Sequence, residues 1–149
     1  MTAPEITDVH PAEELVTPGG VPVPIDVELV PVIRALWALD LRTLMCCQDI
    51  GEAMASGGIR AMAEPGRWSA FLSRHAWLKM PVDAGQALLA RLDGTAEFSP
   101  RLSPKVAGGW HSAVWLSPAG LAGHANIYFP RAQVPELAAT LTAMAVLGR

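Results

Sequence analysis

Lysine is almost missing from this chain: Lys79 and Lys105 are the only two, and no run of basic residues occurs anywhere in its 149 residues. With a formal charge of −3 and a pI near 5.7, it has no electrostatic footprint for nucleic acid. No stretch reaches the roughly 18 consecutive apolar residues of a membrane span. The opening segment MTAPEITDVHPAEE lacks the basic-then-apolar order of a secretory signal.

Cysteine is equally scarce. Cys46 and Cys47 are adjacent, and successive strand residues point to opposite faces, so the two cannot readily pair with each other. A reducing, cytoplasmic setting is expected. Asn126 is the only asparagine, and Ala, Gly, Pro, Arg and Val dominate, a bias that suggests a GC-rich bacterial genome or a phage of such a host.

Chemical signatures are also lacking. There is no CxxC, HxH or HExxH spacing for zinc. The stretch GGIRAMAEPG lacks the GK[ST] ending of a phosphate loop, and no GxGxxG follows a strand. Asp40, Asp49, Glu52 and Glu64 are scattered rather than paired. No metal ion, cofactor, nucleic acid or membrane partner is therefore expected.

What remains is a globular composition, 51% hydrophobic and 17% charged. This length suits one domain able to bury roughly two-thirds of its unfolded surface without a disulfide or metal. Residues 1–25 carry Pro4, Pro11, Pro18, Pro22 and Pro24 with Gly19 and Gly20. That density favours extended chain and predicts a mobile or surface-draped arm, with His10 solvated on it. Residues 26–149 then form the single domain.

Leu29, Ile33, Leu36, Trp37 and Leu41 recur at helical spacing, predicting a helix over 26–41 capped by Asp26. Pro31 sits too deep for a helix beginning right after Asp26, so its regular part starts near Leu29 or its first turn is irregular. Thr43 to Gln48 predicts a strand and Glu52 to Ala55 one helical turn. A short helix is expected near Trp68 to Arg74, then a strand over 76–80 in which Leu78 and Met80 alternate with Trp77 and Lys79. Asp83 is placed to cap a helix through Leu92, and 95–109 reads as loop. Residues 110–116 and 125–129 predict a hairpin, and 134–147 a final helix. The expected fold is α+β, a two-layer sandwich of about four mainly antiparallel strands with about three helices on one face.

The cysteines sit where a strand gives way to a Gly-containing loop, a common place to present a reactive or binding group. At most one of them is expected to be both buried and core-facing. One reading makes one a small apolar filler. A sharper one makes Cys47 a nucleophile whose thiol needs a nearby histidine, with His111 and His124 the named partners and His75 a further one. Cys46, Cys47, Gln48 and Asp49 form the candidate binding edge. Trp110 and Trp115 form a second candidate contact, because either alternating set of the third strand leaves a large aromatic on the uncovered face.

The order helix, Leu-Arg-Thr, strand, Cys-Cys-Gln-Asp resembles a pattern recurring in small actinobacterial and actinophage proteins of unknown function. In these a Leu-Trp helix leads to a Thr-x-x-Ser-Cys-Gln strand end. Leu36, Trp37, Thr43, Cys47 and Gln48 match, and Cys46 stands where serine is usual. The resemblance covers roughly 26–49 and implies no activity. The functional expectation is a small cytoplasmic, non-enzymatic binding or accessory protein acting through a protein or small-ligand contact. A thiol-dependent enzyme using Cys47 and a homodimeric structural module are the alternatives.

Overall fold

The strongest period-two segments become one four-stranded sheet, and the strongest helical stripes cover it. The structure, a computed structural model, describes residues 9–55 and 71–148. Its central sheet contains β3 (Met45–Cys47), β4 (His75–Pro81), β5 (His111–Ser117) and β6 (Gly120–Pro130). The strands are antiparallel throughout, in the order β3-β4-β6-β5. The fold is α+β, as the sequence predicts.

Alternation along β4 sends Ala76, Leu78 and Met80 to one face, where Ile127 and Phe129 of β6 join them. Over that face lie α1 (Val30–Ala38), α3 (Val82–Asp93) and α4 (Val134–Leu147), contributing Ile33, Leu36, Leu88, Leu92, Leu137 and Leu141. Trp110, immediately before β5, closes the same core. Its ring stacks on Phe129 at 4.6 Å and meets Phe98 edge-on at 5.9 Å. Its Nε1–H donates to Gln133 Oε1 at 2.8 Å, so the buried indole leaves no polar atom unpaired. The expectation that Trp110 serves as a contact residue is corrected: it is core.

The opposite face is not bare at its β3 end. Cys47, Trp77 and Leu72 pack there with Ile50, Ala53 and Met54 of α2 (Ile50–Ala55). Trp77 donates from Nε1 to Asn126 Oδ1 at 2.9 Å, which accounts for the lone buried asparagine. Because each face has its own apolar cluster, Cys46 and Cys47 are both buried. The expectation that only one could be buried assumed a single covered face.

The N-terminal segment differs most from expectation. Rather than a draped arm, its described part holds a hairpin of β1 (Ala12–Val16) and β2 (Pro22–Asp26), with Leu15 and Ile25 in the main core. Prolines are tolerated because a two-stranded ribbon has two outer edges, where missing donors cost nothing; Pro22 and Pro24 are exposed. The turn closes with Gly20 N–H donating to Thr17 O at 2.8 Å, Gly20 adopting φ 86°.

Two helix starts also differ. A 3-10 turn at Val27–Leu29 precedes α1, which puts Pro31 in the first α-turn, where its missing N–H is harmless. Asp26 stands at the cap position of the 3-10 turn but makes no side-chain capping bond there, and the cap position of α1 is Leu29. Asp83 likewise lies inside α3, whose cap position is Pro81, and its Oδ1 accepts from Ala84 N–H at 2.9 Å. Of the helix expected near 68–74, residues 68–70 lie outside the described residues; Phe71 is helical and Leu72 to Arg74 form a turn leading into β4.

Candidate functional site

The chain turns sharply after Cys47, and that turn is built from inward-pointing polar groups. Asp49 begins α2 in an Asp-x-x-Glu pattern: its Oδ1 accepts from Glu52 N–H at 3.1 Å and from Arg74 N–H at 3.3 Å. Gly51 permits the close approach this requires, since a Cβ there would lie 2.6 Å from Ser73 Cα and N. Gln48 N–H donates to Asp26 Oδ2 at 2.8 Å, and Gln48 Oε1 accepts from Glu28 N–H at 3.2 Å. The carboxylate expected to cap a helix instead ties the end of β2 to the end of β3. Gln48 and Asp49 are buried, so their polar groups fasten the turn internally.

Into this seam projects His10, missed in the sequence because nothing local distinguishes it from a solvated histidine. It is 8% exposed and stands between three partners. Its Nε2 lies 2.8 Å from Glu52 Oε2; its Nδ1 lies 3.3 Å from Asp26 Oδ2 and 3.7 Å from Cys47 Sγ. His10, Asp26 and Cys47 are all buried, with one ligand-type atom from each inside a mutual span of 4.8 Å. They are the described residues that could together hold a metal ion. Burial, reinforced by the Asp26 charge, pushes the Cys47 thiol far up; the same causes push Cys46 up to about 12.

Neither histidine named for Cys47 from the sequence is near it. Cys47, Trp77, Tyr128 and His111 lie on one row across the four strands. His111 is thus three strand spacings away, about 14 Å. His124 pairs with Pro81, four residues further along β4 than Trp77. His111 instead meets Phe71 edge-on at 5.5 Å and His75 at 6.2 Å. Burial, with the neighbouring His75, holds its imidazole below the usual range.

Arg131 locks the outer rim. Its Nε and Nη2 grip Glu28 at 2.7 and 2.6 Å, and its Nη1 lies 3.3 Å from Asp49 Oδ2 and 3.2 Å from Glu52 Oε1. The guanidinium is held charged well above its ordinary value, first by the Glu28 bonds. Glu28 is lowered by Arg131, and Glu52 first by its bond to His10. Beside this rim opens a cleft of about 1020 Å³ whose walls include Arg74, His75, Pro31 and Pro135. Its three acids, Glu28, Asp49 and Glu52, all pair with Arg131, so the hydrogen bonds at this wall are made internally while the carboxylates outnumber the guanidinium.

The other end of the sheet presents a different surface. Trp115 is 59% exposed, Leu116 78% and Leu121 72%, with Val114 also exposed. β5 is exposed from Ser112 onward and is the outermost strand of the sheet among the described residues. From Val106 to Pro130 the chain has no Asp, Glu, Lys or Arg. Val114 pairs with Ala125 but Leu116 with Leu121, so Ala122, Gly123 and His124 bulge opposite Trp115.

Compared with protein-family models, with curated proteins and with solved structures, the chain matches none of them. Among the described residues, no helix is long and apolar enough to cross a membrane.

Proposed function

We propose that this chain is a non-enzymatic binding protein of the reducing cytoplasm, acting through a protein contact made by β5 and the tip of its hairpin. A second copy of the chain is the occupant of that surface. The observation that carries the reading is the uncharged, apolar hairpin, with Trp115, Leu116 and Leu121 all more than half exposed.

Three features support a second copy. Protein edges are normally blunted by lysine, proline or an inward charge, and β5 (HSAVWLS) has none of these. A strand with no formal charge meets no like charge when it pairs with itself. Two-fold antiparallel pairing about Val114 sets Trp115 of each copy against Ala113 of the other, and Leu116 against Ser112, large side chain against small. The enclosed, unpaired thiols suit a reducing compartment.

The thiol-enzyme alternative draws on the 3.7 Å contact between Cys47 and His10. Against it stand a sulfur with no exposed surface and a thiol pushed up by burial and by Asp26. A substrate would have to uncover the group and ionise it as well.

Sedimentation equilibrium over about 1 to 200 μM tests the reading, since micromolar association corresponds to about 8 kcal/mol. A reversible dimer is expected for the native chain, and a monomer for Trp115→Lys, which places a charge at the pairing edge without touching the core. A native chain that stays monomeric throughout, or a Trp115→Lys variant that dimerises as well as the parent, rejects the proposal.

A further inference from the structure

We infer that His10 Nδ1, Asp26 Oδ2 and Cys47 Sγ form a zinc-binding site that staples the N-terminal segment to the central sheet. The site is independent of the β5 contact.

The separations fit the ion. Zinc bonds of about 2.0–2.3 Å in tetrahedral geometry place neighbouring N and O ligands about 3.4 Å apart and neighbouring N and S ligands about 3.6 Å apart. The structure has 3.3 Å from Nδ1 to Oδ2 and 3.7 Å from Nδ1 to Sγ. The donors arrive from three places in the chain: the residue before Pro11, the end of β2 and the end of β3. One ion would therefore cross-link segments up to 37 residues apart.

The surrounding groups orient the ligands as zinc ligands usually require. Glu52 Oε2 takes the Nε2–H of His10 at 2.8 Å, leaving the Nδ1 lone pair aimed at the cluster. Asp26 Oδ2 is fixed by the Gln48 amide at 2.8 Å. An imidazole nitrogen, a carboxylate oxygen and a sulfur then converge in a buried space, where a proton can bridge them only in pairs and a cation would bond all three at once. A soft thiolate with an imidazole and one carboxylate selects zinc over magnesium or calcium. On binding, the thiol proton would leave to solvent, and a fourth ligand beyond these three would have to be a water molecule. The competing arrangement has no metal, with His10 bridging Asp26 and Glu52 by hydrogen bonds alone.

The test uses the full chain, treated with chelator and then titrated with Zn²⁺ or Co²⁺ alone. The expected result is one equivalent of either metal per chain, with the Co²⁺ form showing a thiolate charge-transfer band and tetrahedral visible bands. Cys47→Ser should lose the charge-transfer band and bind Zn²⁺ at least about tenfold more weakly, and Glu52→Gln should weaken it by about 10–100-fold. Cys46→Ser, whose sulfur faces the other core, should keep both band and stoichiometry. Because His10→Gln risks misfolding, the near-isosteric cysteine variants carry the decision. Failure to bind one equivalent at micromolar Zn²⁺ overturns the inference and leaves the metal-free hydrogen-bonded bridge. So does a band that survives Cys47→Ser or disappears with Cys46→Ser.

Discussion

Arg131→Gln is the substitution that most directly probes the seam. Its Nη1 lies 3.3 Å from Asp49 Oδ2, which corresponds to an attraction of about 5 kcal/mol at an effective dielectric of about 20. Part of that is offset by desolvation, because Asp49 is 1% exposed. Asp49 keeps its two backbone donors on Oδ1, so the loss is smaller than for a carboxylate stripped of every partner. Glu28 and Glu52 are largely exposed and add at most a fraction of a kcal/mol each. The expected net loss is about 3 kcal/mol, or a fall in Tm of about 6–12 °C for a chain of this size. Urea unfolding at pH 7 measures it. Glu28 and Glu52 both titrate lower in the folded state, so their contribution is present above the ordinary glutamate value of 4.5 and is lost as pH falls through the folded values. Arg131→Gln should remove the Glu28 part of that acid dependence and leave the part Glu52 owes to His10. A loss below about 1 kcal/mol with an unchanged acid limb would refute the reasoning, and Arg131 would be an ordinary surface cation.

Gly51→Ala should destabilise by about 1–3 kcal/mol, because the added Cβ would sit 2.6 Å from the Ser73 backbone and α2 would have to lift away; thermal unfolding checks this. Trp110→Ala should cost about 3–5 kcal/mol in the same assay, through loss of the stack on Phe129 and of the partner of Gln133. Neither thiol should react with an aromatic disulfide reagent at pH 8 in the native state, since both are buried and pushed up. Both should react together once the chain unfolds.

Much of the fold was legible where burial follows a simple period. Leu78 and Met80 opposing Trp77 is the division the sheet makes, and α4 occupies the expected 134–147. The N-terminal hairpin was hidden because proline content argues against strands in general, whereas Pro22 and Pro24 occupy an outer edge that needs no donors. Asp26 and Asp83 looked like caps because the sequence shows an acid before a helix but not what else its oxygens can reach. The site was half legible. Residues 46–49 were identified at a strand end, yet their partners His10 and Arg131 lie 37 residues before Cys47 and 82 after Asp49. Such contacts leave no local period. Trp110 and Trp115 were equivalent on paper, and the stack of Phe129 and the edge-on contact of Phe98 on Trp110 broke the tie.

Amide hydrogen exchange along β5, measured at low and high protein concentration, tests the central claim most directly. β6 can take only about half of the β5 amides, and the rest face outward from the sheet edge. Pairing between two copies predicts that these outward amides of His111–Ser117 exchange freely in dilute solution and become protected as concentration rises. Trp115→Lys should abolish that protection while leaving β4 and α4 unchanged. Outward amides that exchange at the same rate at every concentration would contradict the account.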